Sequence, residues 1–155
     1  LDLVPTFTTW LQRAATTLPG RPDLVVPVPL HMRRLWGRGF NQAAELARGY
    51  ARAEGLAHLP GLLRRTRATG SMRGLSRVER KAAVDGAFAL GPQAPRAQLS
   101  GARVLLVDDV MTTGATLGAC AEVLLDAGAR DIFTLVLARV EGARWREPQD
   151  DETGA

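Results

Sequence analysis

The sequence predicts an α/β fold: a mostly parallel sheet flanked by helices. Three observations carry this. Val104-Leu105-Leu106-Val107 and Ile132–Ala138 are short apolar runs, the signature of parallel strands buried on both faces. Helical stripes alternate with these runs along the chain. The stripes are closed by turn residues such as Pro19-Gly20, Gly55 and Gly128. With 46% hydrophobic and 23% charged residues, the 155-residue chain matches ordinary globular usage. That excludes a disordered, collagen-like or disulfide-dense protein.

The elements follow in order. Leu3, Val4, Phe7, Trp10, Leu11, Ala14 and Leu18 recur at spacings of three and four, which predicts an amphipathic helix with the Trp10 face in the core. Leu24–Val28 reads as a buried strand. Pro27 and Pro29 make it end there in a loop, because proline cannot donate to a ladder. The loop runs from His31 to Gly39. Asn41 then N-caps a helix reaching Glu54. Leu59–Arg65 reads as a strand and Thr66–Arg77 as an exposed loop. Ser76-Arg77-Val78-Glu79 fits a capping box opening one or two helical turns. Gly86–Leu90 is a weak strand and Gly91–Ser100 a connector. Arg103–Asp108 and Asp131–Arg139 are strands on either side of a helix from Leu117 to Ala127. Residues 1–140 thus form one domain, with an N-terminal helix over 1–20 and a polar tail over 141–155.

The string Val104 to Thr116 (VLLVDDVMTTGAT) carries the chemistry. Its strand ends at the carboxyl edge of the sheet, where open α/β folds bind ligands. Asp108 and Asp109 stand there, suited to accept hydrogen bonds from vicinal hydroxyls and to help hold Mg²⁺. Thr112, Thr113, Gly114, Ala115 and Thr116 then turn into a helix. Hydroxyls, backbone N–H groups and a positive helix end are what a phosphate needs. A Walker loop would need a lysine here, and a dinucleotide fingerprint would need GxGxxG; neither is present. A receiver-type Asp pair would sit near the start of its domain, with far more chain following.

Charge is unevenly distributed. The net value is +4, yet residues 33–81 hold 12 basic and 3 acidic residues. Nineteen of the 20 basic residues are arginine, whose planar fork suits phosphate. Composition leaves a polyanion site and a solvated face equally open. Arg64, Arg65, Arg67, Arg73, Arg77, Arg80 and Lys81 could follow a nucleic-acid backbone. No aromatic residue lies between Ala51 and Ala87, so base stacking is not part of that reading. Cys120 is the only cysteine and reads as a buried helix residue; a four-cysteine zinc site cannot be built, so no zinc is expected in this chain. The longest apolar runs are seven residues, far short of the roughly 20 that span a bilayer. With no signal-like start, the expected location is cytoplasmic, without membrane insertion.

The motif at 104–116 resembles that of type I phosphoribosyltransferases. A second set of matches is similar to the ComF family of competence-associated members: Val26-Pro27-Val28-Pro29-Leu30-His31, Arg33-Arg34, Arg38-Gly39-Phe40-Asn41-Gln42-Ala43, Gly74-Leu75-Ser76-Arg77 and Gly86-Ala87-Phe88. These cover about residues 24 to 140. The resemblance implies a phosphoribosyl pyrophosphate ligand with Mg²⁺. Asp108 and Asp109 would meet the ribose hydroxyls, and residues 112–116 the 5′-phosphate. Arg33, Arg34 and Arg38 would meet pyrophosphate, and residues 66–81 would be a flexible loop closing over it. It also implies a role in DNA uptake during natural transformation, with single-stranded DNA and a helicase-like competence protein as partners. The family's usual zinc ribbon was lost or lies outside this sequence, and the chain has Met72 and Ala83 where the family commonly has Gln and Asn. Two expectations follow: a phosphoribosyltransferase of unknown acceptor, or a non-catalytic module binding single-stranded DNA and protein.

Overall fold

The computed structural model describes residues 3–30, 41–70, 72, 74–111 and 113–139. Helix α1 (Val4–Ala15) is followed by β1 (Leu24–Pro27), α2 (Gln42–Glu54), β2 (Ala57–His58) and β3 (Leu63–Arg65). Then come α3 (Arg77–Val84), β4 (Phe88–Leu90), α4 (Arg96–Leu99), β5 (Arg103–Met111), α5 (Ala115–Asp126) and β6 (Asp131–Arg139). The main sheet has the order β2-β1-β5-β6, parallel throughout. Strands β3 and β4 form a separate antiparallel pair, with Arg65 opposite Phe88.

Two cores sandwich the sheet because side chains alternate along β5. Val104 and Leu106 face α5 and the β3–β4 pair, joining Val26, Cys120 and Leu124. Leu105 and Val107 face α1 and α2, joining Val25, Leu46 and Tyr50. All four β5 residues are fully buried, as a strand covered on both faces requires.

Local rules place the helices. The Asn41 side chain accepts from Ala44 N–H at 3.3 Å, and Gly55 closes α2 at φ +66. Ser76 and Glu79 make the reciprocal bonds of a capping box at α3.

Some expectations change. Trp10 is 53% exposed, stacked obliquely on Phe7 at 5.5 Å, so the helix turns Leu11 and Thr8 inward instead. Residues 59–65 do not form one strand: β2 ends at His58 and β3 begins at Leu63. The 91–100 connector contains the short α4. Strand β5 runs three residues beyond Asp108, held in register with β6 to Met111↔Arg139. Pro27 closes β1 rather than disrupting it. Val28 N–H donates to Val107 at 2.9 Å and Leu59 N–H donates to Val25 at 3.0 Å. Alternation then points Pro27 toward the β2 side, beyond the last β2 pairing at Val25↔His58, where no donor is needed.

Candidate functional site

The strand order reverses direction between β1 and β5: β2 lies outside β1, and β6 outside β5. In open parallel sheets that reversal opens a crevice at the carboxyl ends of the two strands. Strand β1 pairs with β5 up to Pro27↔Val107, so Asp108 is the first residue beyond the shared ladder.

Asp108 continues the face of Val104 and Leu106 and turns toward α5. It lines a cavity of about 70 Å³ with Met72, Thr113, Gly114, Ala115 and Thr116. That volume is well below the roughly 300 Å³ of a small-molecule pocket and has room for one small group. Gly114 is the N-cap of α5 at φ +78, and no side chain caps the helix. The first N–H of the ladder to find a helical partner is Gly118, bonded to Gly114 at 2.8 Å. The amides of Ala115, Thr116 and Leu117 are therefore left for a ligand or water. Here glycine is required by the backbone conformation, since a Cβ would meet only Met111 Sδ, at 3.8 Å.

The two aspartates are not a side-by-side clamp. Strand alternation sends Asp109 to the opposite side from Asp108. Each spends one oxygen locally: Asp108 Oδ1 accepts from Asp109 N–H and Asp109 Oδ1 from Val110 N–H, both at 2.8 Å. The second oxygen of each can still receive a ligand. Burial first, and then the neighbouring Asp109 carboxyl, push the Asp108 carboxyl up to about 7; the Arg65 charge opposes this. A positive or hydrogen-donating ligand would favour the ionised form.

Arg65 is the neighbour that the sequence did not reveal. It lies in β3, with its guanidinium 5.0 Å from the Phe88 ring centroid and bonded to Thr69 Oγ1 at 3.1 Å. Only the β3–β4 pairing brings it within electrostatic reach of Asp108 and Cys120. The other arginines of this stretch are partly structural. Arg64 donates to the Leu90 carbonyl at 3.3 Å, Arg67 to Asp85 at 2.6 Å and Arg80 to Leu75 at 3.0 Å. Arg77, Arg80 and Lys81 belong to α3, where Arg77 and Lys81 are exposed. Cys120 is fully buried and its thiol is pushed up to about 12, chiefly by desolvation. His31, Arg33, Arg34, Arg38, Arg73 and Thr112 lie outside the described residues, as does the 140–155 tail. No helix among the described residues is long and apolar enough to cross a membrane.

A helix-flanked parallel sheet with an acidic strand end and an uncapped helix at its switch point is the frame of an α/β domain of the kind that binds ligands at its sheet edge. A family model described as phosphoribosyl transferase domain matches residues 43–154. The chain is 36% identical over 118 residues to competence protein F of Haemophilus influenzae, covering 76% of this chain and 51% of that protein. It is 38% identical over 129 residues to the DNA utilization protein YhgH of Salmonella typhi, covering 83% and 54%. The chain spans about half the length of the curated relatives it matches. In fold, it is similar to the adenine phosphoribosyltransferase of Giardia lamblia, with a TM-score of 0.54 and 23% identity, covering 90% of this chain and 68% of that one. The chain belongs to the phosphoribosyl transferase domain family, in its ComF branch.

Proposed function

We propose that this chain binds phosphoribosyl pyrophosphate with Mg²⁺ at the carboxyl edge of β5, and that it serves DNA utilization during natural transformation. The observation that carries the ligand reading is the meeting of Asp108 with the uncapped start of α5 in one small cavity. The competence reading rests on the names of the similar proteins from Haemophilus influenzae and Salmonella typhi.

In this reading the amides of residues 115–117 and the hydroxyls of Thr113 and Thr116 take the 5′-phosphate. Charge-assisted bonds of this kind contribute about 1.5–3 kcal/mol each. Asp108 and Asp109 orient the ribose through the carboxylate oxygens not used by the backbone. Arg33, Arg34 and Arg38 neutralise pyrophosphate. The donor set suits Mg²⁺: the two carboxylates stand alone, with no cluster of three or more His, Cys, Asp or Glu among the described residues. Mg²⁺ typically takes one or two carboxylates and completes its shell with phosphate oxygens and water. Bound there, it would supply charge neutralisation for a departing pyrophosphate. The chain itself positions the ribose and screens the anion. Transfer of the phosphoribosyl group to an acceptor is the activity we assign to such a site.

The experiment is calorimetric titration with phosphoribosyl pyrophosphate, with and without Mg²⁺. Binding that needs Mg²⁺ and disappears in Asp108→Asn/Asp109→Asn is expected. No heat at millimolar ligand would remove the transferase reading and leave the non-catalytic DNA-binding module. The exposed Arg77 and Lys81 on α3 favour that second reading. It requires single-stranded DNA affinity that falls steeply with salt and weakens in Arg77→Ala/Lys81→Ala.

A further inference from the structure

Strand β6 is the last strand of the sheet, and among the described residues it pairs with β5 alone. It is nine residues long and in continuous register with β5, from Arg103↔Asp131 to Met111↔Arg139. It contains no proline or glycine and no charge between its ends. Bulges, prolines and inner charges are the devices by which edge strands avoid pairing, and β6 has none of them along an edge that no described strand covers.

The ladder tells which groups lie on that edge. Asp23 N–H donates to Arg103 at 2.8 Å and Val28 N–H to Val107 at 2.9 Å, so the odd-numbered residues of β5 bond to β1 and Val104, Leu106 and Asp108 bond to β6. In a parallel ladder a residue bonds to the two neighbours of its register partner, so Val104, set against Ile132, bonds to residues 131 and 133. The N–H and C=O groups of Ile132, Thr134, Val136 and Ala138 therefore point outward.

The strand reads Asp-Ile-Phe-Thr-Leu-Val-Leu-Ala-Arg, which complements its own reverse. About a two-fold axis at Leu135, two antiparallel copies set Leu135 against Leu135, Phe133 against Leu137 and Asp131 against Arg139. Between them the outward residues pair, Ile132 with Ala138 and Thr134 with Val136, and each of those pairs exchanges both backbone bonds. The uncharged centres meet, and opposite charges meet at both ends. Asp131 already lies 3.2 Å from Arg130 and 3.6 Å from Arg103, and its side chain is 42% exposed, which leaves room at the surface for another guanidinium. Parallel pairing would set Asp131 beside Asp131, and a two-residue slip would separate both charge pairs. We infer that the chain forms a two-fold dimer by antiparallel β6–β6 pairing, joining two four-stranded sheets into one.

The test is amide exchange by NMR on the full chain at micromolar and millimolar concentration. The inference requires the outward amides of residues 132, 134, 136 and 138 to exchange at least about tenfold more slowly in the concentrated sample. The amides of 133, 135 and 137, which donate to β5, should be protected equally in both. Outward amides that behave identically at the two concentrations, whether fast or slow, overturn it. A second arm uses sedimentation of charge variants. Arg139→Asp alone and Asp131→Arg alone each place like charges at both ends and should be monomeric. Mixed together they should form a heterodimer, because every end pair is then opposite in sign. Folded variants that stay monomeric in the mixture also overturn the inference. Should either variant fail to fold, the exchange measurement on the unaltered chain decides alone.

Discussion

Asp108→Asn isolates the most perturbed group of the site. The substitution keeps the side chain's shape and the Oδ1 acceptor for Asp109 N–H, bonded at 2.8 Å, and removes the charge. Burial is the main reason that the Asp108 carboxyl stands at about 7 rather than 3.8. A rise of that size corresponds to about 4 kcal/mol in favour of the protonated form. Partial solvent access at the carboxyl reduces the effect on folding to about 2 kcal/mol. The sign follows from proton counting. Near pH 4 and below, Asp108 is protonated both folded and unfolded. Between about 4 and 7 the unfolded chain releases this proton and the folded chain keeps it, so stability falls as pH rises through that window. Urea unfolding should therefore find Asp108→Asn more stable than the parent by about 2 kcal/mol at pH 8 and nearly equal to it at pH 4. A variant less stable at pH 8, or a difference that does not change with pH, would refute the reasoning that desolvation sets this carboxyl. Such a gain in stability alongside a loss of ligand binding is what a functional charge predicts.

Other perturbations test the frame around the site. At Gly91 an added Cβ would collide with the Gly61 carbonyl oxygen, so Gly91→Ala should cost about 1–3 kcal/mol in urea unfolding. Ser76→Ala removes the hydroxyl that accepts from Glu79 N–H at 3.2 Å and should speed amide exchange across α3, a loss of about 1 kcal/mol. Cys120 should resist a thiol reagent at pH 8 until the protein unfolds, since its thiol is both buried and far from ionising. Labelling at native rates would place it nearer the surface.

What the sequence reveals here is what local chemistry decides. The apolar run of β5, the Asn41 cap, the capping box at Ser76 and the Gly128 stop all act through neighbours in the chain, and β6 spans the residues its composition predicts. The acidic strand end and the helix that follows were legible for the same reason. What escaped depends on partners distant in sequence. The exposure of Trp10 is decided by how α1 lies on α2 and β6, which the helical stripe alone cannot tell. The strand continues past Asp108 because β6 is long enough to pair with it, and that continuation separates the faces of Asp108 and Asp109. Arg65 reaches the site only through the β3–β4 pair, across 23 positions of sequence to Phe88. Charge counting likewise could not show that Arg64, Arg67 and Arg80 are bound to backbone carbonyls of their own chain.

The central claim is that the start of α5 beside Asp108 receives the phosphate of a phosphorylated ribose. The most direct measurement follows the backbone amide resonances of Ala115, Thr116 and Leu117 while phosphoribosyl pyrophosphate and Mg²⁺ are added. The account predicts large, saturable shifts centred on these three amides, and none in Asp108→Asn/Asp109→Asn. Saturable binding that leaves the three amides unmoved would contradict it.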